Sequence, residues 1–234
     1  MMFFSRFQIN PQRREAKKLL ANPRAMHAAV ESCFPPSRQE PGEGRLLWRV
    51  DREAHDVRLY VVSPDRPEFR HLVEQAGWEQ APGETTDYGR FLQGLQKGQR
   101  FGFRLTANPV KREFVHGSRG KVLPLVGEQA CIEWLDRRAG GWGFALRRQQ
   151  LPDESVTERA PDFPAAHVIG REDRSFRKDA GGPGHVVTQR QVAMTGDLQV
   201  TDPDVLRAAL VNGMGRGKAY GCGLMTLARG QVGP

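Results

Sequence analysis

Cysteine is scarce in this chain of 234 residues: Cys33, Cys131 and Cys222 are odd in number, stand far apart and form no C-x-x-C pair. That spacing argues against both a disulfide framework and a zinc ribbon, and three buried thiols in a reducing compartment are the simpler reading. Long hydrophobic runs are missing as well. No apolar stretch approaches the roughly 18 to 20 residues that cross a bilayer. Residues 1–7 are interrupted by Arg6 and followed by no small-residue cleavage site, so no secretory leader is read there. The cytoplasm is the expected compartment, with no membrane partner. The glycine-rich run 212–223 lacks the first glycine of a Walker A loop, because Asn212 stands there, and its hydroxyl ligand, because Ala219 stands there. No G-x-G-x-x-G fits either, which disfavours a nucleotide-using enzyme.

Acidic residues are the minority charge, 27 Asp and Glu against 35 Lys and Arg, giving a formal net charge of +8 and a pI near 9.9. Such an excess suits a protein that meets polyphosphate, although a solvated basic surface would account for it too. Hydrophobic residues make up 38% and charged residues 26%, with a mean hydropathy of −0.57, the balance of a soluble globular protein. The length fits two compact domains of about 100 residues each.

The first half alternates and recurs in a recognisable order. Residues 3–9 place Phe3, Phe7 and Ile9 on one face and Arg6 and Gln8 on the other, the pattern of a half-buried strand. A basic connector with Arg13, Arg14, Lys17 and Lys18 follows. Asn22 and Pro23 then suit the N-cap and first position of a helix whose buried stripe is Met26, Ala29, Val30, Cys33 and Phe34, closed by Pro35 and Pro36. Strands are predicted over 46–50 and 57–62, a helix over 67–75 closed by Gly77, and a last strand within 78–91. The order is βαββαβ. In the second half a strand is predicted over 100–106, a helix over 128–138 and a strand over 144–148. A hairpin over 185–194 and 198–201 turning at Thr195-Gly196-Asp197, a helix over 203–210 and a strand over 222–227 complete it. The fold expected is α+β, two tandem ferredoxin-like (RRM-like) domains at 1–93 and 100–234, inferred from element order alone because no sequence repeat is visible.

Histidine is the side chain best matched to proton transfer near neutral pH, and of six histidines His27 stands out. It lies on the edge of the first helix's buried stripe, one turn after Arg24 and one turn before Glu31, so a cation, an imidazole and a carboxylate stack along one flank. A histidine merely salt-bridged to Glu31 would have the same spacing. The run 212–223 holds five glycines, so something must approach its backbone closely. With Arg216 and Lys218 it could cradle a phosphate backbone through its amides, or be a flexible connector. Further basic residues are interleaved with apolar ones: Arg104, Lys111, Arg112, Arg119 and Lys121 around one strand region, and Arg171, Arg174, Arg177 and Lys178 in the loop before the predicted hairpin. Spread over both halves, they could line one groove.

Four segments together resemble one family: A-N-P-R-A-M-H at 21–27, L-L-W-R-V at 46–50, F-R-L-T-A-N-P-V-K-R at 103–112 and G-M-G-R-G-K-A-Y-G-C-G-L at 213–224. The chain resembles the CasE (Cse3) family, the Cascade subunit of type I-E systems that cuts precursor CRISPR RNA at its repeat hairpins, along nearly its whole length. The resemblance implies two ferredoxin-like domains, no metal or other cofactor, a CRISPR repeat RNA hairpin and other Cascade subunits as partners, and a catalytic histidine at His27. Some relatives carry a tyrosine three residues before that histidine, where this chain has Arg24. In the reaction so implied, the RNA's 2′-hydroxyl attacks the adjacent phosphate, His27 serves as base or acid, and Arg24 or Lys218 stabilises developing charge. A non-catalytic RNA-binding subunit with the same fold is the competing expectation.

Overall fold

The computed structural model describes residues 1–35, 44–113, 120–149, 163–178 and 185–229. The chain opens with β1 (Phe3–Ile9), in which Ser5, Phe7 and Ile9 are buried while Arg6 and Gln8 face water. Two helices follow, α1 (Arg14–Ala21) and α2 (Pro23–Glu31), then β2 (Leu47–Arg52), β3 (Val57–Ser63), α3 (Arg70–Ala76) and β4 (Glu84–Asp87). The strands pair antiparallel in the order β2-β3-β1-β4, which is the arrangement a βαββαβ unit must adopt. On one face of the sheet Phe7, Ile9, Leu59 and Val61 pack against Met26 and Val30 of α2 and Leu72 of α3.

The predicted basic connector is in fact helix α1. Its good helix formers bury Ala16 and pack Leu19 and Leu20 against the same core, and Lys18 pairs with Glu15 across one turn. Charge density concealed a short amphipathic helix. Helix α3 starts at Arg70, later than expected, and α4 (Tyr88–Gln93), capped by Asp87, follows β4 directly.

The second half contains β5 (Arg100–Ala107), the small hairpin β6 (Val110–Arg112) and β7 (Val122–Pro124), α5 (Glu128–Ala139), β8 (Phe144–Leu146), β9 (Arg148–Gln149), β10 (Phe163–Pro164), β11 (Ala166–Lys178), β12 (His185–Val200), α6 (Pro203–Asn212) and β13 (Met225–Arg229). Its main sheet runs β11-β12-β5-β13. Both β8 and β11 pair with the side of β12 away from β5, so two segments share the place of a ferredoxin-like second strand. This is again the βαββαβ order, and the expected fold class is borne out.

The hairpin expected at Thr195-Gly196-Asp197 is absent, because β12 runs straight through those residues. Gly196 is small for another reason: a Cβ there would lie 2.2 Å from the Ala165 carbonyl oxygen. It marks a close backbone approach, not a turn. The partner strand is β11, the segment expected to be a loop, so Arg171, Arg174, Arg177 and Lys178 belong to a strand. Charged residues are at home there, since β11 is the sheet's edge. Asp173 lies directly opposite Arg190, which donates to both its carboxylate oxygens at 2.8 and 2.7 Å. Those hydrogen bonds lower the Asp173 carboxyl from its ordinary value.

The second core is not confined to the second half. Met2, Leu47, Val62, Tyr88 and Leu92 join Phe103, Leu105, Trp134, Met194 and Leu224 in one cluster. All three cysteines are buried free thiols, as expected, and burial pushes Cys33 and Cys222 up to about 12, which favours their protonated form.

Candidate active site

Helix α2 begins where the sequence places it. The Asn22 side chain accepts from the Arg24 and Ala25 amides at 2.9 and 3.3 Å, and Pro23 takes the first helical position. This start sets the helical phase: Met26 and Val30 point into the core, Arg24 is exposed, and His27 sits half-buried at the boundary. Each ring nitrogen of His27 has a polar neighbour among the described residues. Its Nδ1 accepts from the Trp48 indole Nε1–H at 3.2 Å, and its Nε2 lies 3.3 Å from a Glu31 carboxylate oxygen.

Trp48 belongs to β2 and links the histidine to the glycine-rich stretch. Gly221 takes φ +84, and a Cβ on it would lie 2.7 Å from the Trp48 ring, so only glycine lets the ring seat. All five glycines of this stretch have positive φ, and what approaches their backbone is the protein's own side chains. Leu47 and Lys218 lie over Gly213, Trp134 over Gly215 and Gln189 over Gly217. Buried Gln189 also donates to Cys222 Sγ, Gln191 donates to the Tyr220 carbonyl, and the Gly223 amide donates to the Thr106 carbonyl at 2.7 Å. The flexible-connector reading fails, since the loop is pinned along its length.

Helix α2 packs on the 3-10 turn Lys218–Tyr220, which brings Lys218 to the element that carries His27. Burial, and after it the neighbouring Arg45 charge, lower the Lys218 ammonium from its ordinary value. Arg216, on the same loop, is exposed. Among the described residues neither Arg216 nor Lys218 has a carboxylate within ion-pair distance, so both cations are available to an anion. Among the described residues no three His, Cys, Asp or Glu side chains gather as metal ligands.

The other basic candidates divide. Arg104 of β5 is committed within the protein, with Nε 3.3 Å from Asp51 and an Nη donating to Glu53 at 3.1 Å. Arg174 donates to the Leu20 carbonyl at 3.1 Å and pairs with Glu172. With Arg171, these two line a cavity of about 140 Å³ between the halves, walled also by Trp48, Tyr220 and Gly221. Lys111, Arg112 and Lys121 are exposed on the separate β6–β7 hairpin. Arg119 lies outside the described residues, as do the side chains of Arg177 and Lys178. Arg104, Arg171 and Arg174 thus share one open cavity with Tyr220 and Gly221 of the glycine loop, while Lys111, Arg112 and Lys121 stand apart on the hairpin.

Two residues that matter were missed. Trp48 and Arg49 were legible as strand and as part of the resembling segment 46–50, with no role of their own, yet Arg49 is 1% exposed and uses every guanidinium N–H. Its Nε and one Nη donate to the two Asp51 oxygens at 2.8 and 2.9 Å. It also reaches the Arg104 and Leu224 carbonyls at 2.6 and 3.0 Å and the Thr226 hydroxyl at 2.9 Å. Arg49 therefore ties β2 to β5 and β13, and so fixes the histidine's strand neighbour against the other sheet. An arginine between two apolar residues of a strand was the available signal, because such a position demands buried partners.

Two antiparallel ferredoxin-like sheets, with a partly buried histidine on one and a pinned glycine loop carrying Arg216 and Lys218 before the last strand of the other, are the class of architecture that this site sits on. The model of the CRISPR associated protein family matches residues 2–229, and the chain belongs to that family. It is 32% identical over 230 residues to the CRISPR-associated endoribonuclease Cse3 of Thermus thermophilus, covering 97% of this chain and 100% of the relative. It is 29% identical over 190 residues to the CRISPR system Cascade subunit CasE of Escherichia coli K12, covering 75% and 82%. The structure of Thermus thermophilus Cse3 bound to an RNA representing a pre-cleavage complex superposes with a TM-score of 0.71 at 30% identity, covering 97% of this chain and 98% of that one.

Proposed function

We propose that this protein is an endoribonuclease that cuts precursor CRISPR RNA at its repeat hairpins and stays on the product as a Cascade subunit. The relatives' names support the reaction and the assembly, and membership of the family along nearly the whole chain supports carrying them over. The observation that carries the chemistry is His27, partly exposed beside a loop whose Arg216 and Lys218 lack carboxylate partners among the described residues. Residues 1–93 hold the reacting side chain, and residues 100–234 supply the glycine loop and the outlying basic hairpin. No helix among the described residues is long and apolar enough to cross a membrane, and the cytoplasm, where transcripts are, is the working compartment.

The reaction needs no external nucleophile. The 2′-oxygen of the RNA attacks the adjacent phosphorus, the bond to the 5′-oxygen breaks, and the products are a 2′,3′-cyclic phosphate and a 5′-hydroxyl. His27 acts on the protons or hydrogen bonds of this exchange, and Lys218 or Arg24 opposes the charge that grows on the phosphate. Hairpin shape and backbone contacts account for most of the affinity. Because the nucleophile belongs to the substrate, cleavage of the cognate repeat is expected to proceed in excess EDTA. Activity lost in chelator and restored only by a divalent ion would overturn the metal-free route, and an intact hairpin after long incubation would leave a binding subunit.

Binding through the glycine loop has its own expected signature. Arg216→Ala and Lys218→Ala should each weaken hairpin binding and reduce the slope of log K against log salt by roughly one counterion. Slopes equal to the parent's would assign both side chains to the loop's own structure. Lys218 should show the larger loss, since its partial burial already disfavours its charge and a phosphate would relieve that.

A further inference from the structure

We infer that Trp48 is a positioning residue for His27: its indole N–H holds the imidazole in the tautomer with the proton on Nε2, so the atom offered to the RNA is a hydrogen-bond donor. The inference rests on the proposed reaction and names the part His27 plays in it. An indole nitrogen can only donate. Its 3.2 Å bond to Nδ1 therefore exists only while Nδ1 carries no proton. On the other edge of the ring, Nε2 lies 3.3 Å from a Glu31 oxygen, and a carboxylate can only accept. A bare Nε2 lone pair facing that oxygen would be repulsive. The neutral Nε2–H form alone suits both neighbours.

The two neighbours differ in how firmly they hold. Trp48 is 4% exposed and the Glu31 side chain 60%. Glu31 can return to water when a phosphate arrives, whereas a buried N–H that loses its acceptor finds no substitute. Trp48 also has nowhere to go. Its strand neighbours Leu47 and Arg49 are fully buried, and its ring lies against Gly221, where even a methyl group would not fit. The glycine loop thus sets the histidine's proton through the indole. For Nε2 to take the 2′-hydroxyl proton, the ring would first have to shift its own proton to Nδ1 and break the Trp48 bond. In the held tautomer Nε2–H instead donates to the reacting phosphate as negative charge grows there.

The test uses full-length protein labelled with ¹⁵N-histidine, in which the two-bond proton–nitrogen pattern of His27 is assigned by its disappearance in His27→Ala. The wild-type ring is expected to show the Nε2–H pattern, and Trp48→Phe, which keeps an aromatic ring but lacks the donor, to show exchange between tautomers. Single-turnover cleavage by Trp48→Phe should fall about three- to tenfold, the worth of one neutral hydrogen bond, with hairpin affinity unchanged. A wild-type ring protonated on Nδ1 would overturn the inference, and that spectrum decides even if Trp48→Phe does not fold. Trp48→Phe cutting at the parent rate with an unaltered tautomer would overturn it too. Failure of the underlying reaction would look different: His27→Ala would then cut at the wild-type rate whatever the tautomer.

Discussion

His27→Ala is expected to slow cleavage of the repeat hairpin by about 10² to 10⁴, the usual worth of a side chain that moves a proton or donates to the developing charge of the transition state, while hairpin affinity stays within a few-fold. The separation follows from geometry. His27 reaches Trp48 and Glu31 within the protein and exposes only part of its ring, whereas the cations available to anchor RNA lie on the glycine loop and the outlying hairpin. Alanine is a better helix former than histidine, so α2 should persist, capped by Asn22 as before. Circular dichroism and a melting curve check that it does. The change does leave the Trp48 N–H without its acceptor, which should lower stability modestly and be visible in the melt. A substrate with a single 2′-deoxy sugar at the cut site should resist the wild-type enzyme, because the nucleophile is then missing. A folded His27→Ala that cuts at the parent rate would move the search to Arg24, Lys218 or Tyr220.

The second large effect is on stability. Arg49→Met removes one partner of a buried ion pair and leaves the Asp51 carboxylate, 7% exposed, with Arg104 as its remaining cation among the described residues. It also strips donors from the Arg104 and Leu224 carbonyls and the Thr226 hydroxyl. Breaking such a pair from one side typically costs about 3 to 5 kcal/mol. Because the lost bonds run from β2 to β5 and β13, the halves should loosen against each other as well as melt earlier. Urea denaturation measures the loss. A change under about 1 kcal/mol would mean that Arg104 and water replace the guanidinium, a surface-like result that these buried contacts do not anticipate. The double variant Arg49→Met with Asp51→Leu should recover part of the stability, since no buried charge is then left alone.

Much of the first half was legible in the sequence because its signals are local. Alternation in β1, the Asn22-Pro23 start of α2 and the Gly77 stop of α3 depend on residues within a few positions of one another, and those patterns survive without knowledge of distant partners. His27 was found the same way, from its phase on α2 and its turn-spacing to Arg24 and Glu31. The same local reading failed where charge masks structure. Helix α1 looked like a connector because its charges hide the apolar stripe of Ala16, Leu19 and Leu20, and β11 looked like a loop because its polar residues are held by partners elsewhere in the chain: Asp173 by Arg190, and Arg174 by the carbonyl of Leu20.

The amino-acid order by itself determined the two βαββαβ halves, the phase of His27 on α2 and the basic balance, since periodicity, capping and net charge are properties of short windows or of the whole composition. Only the tertiary structure decided what each of these residues touches. Gly196 reads as a turn until the Ala165 backbone is seen against it, and only the packed sheets place Arg104 beside Asp51 and Glu53. Trp48 reads as one more strand residue until its N–H is found on His27, 21 positions away. Hydrogen bonds and ion pairs act over about 3 Å of space. Sequence separation does not measure that distance, so the partners that give these side chains their roles exist only once the two sheets have packed.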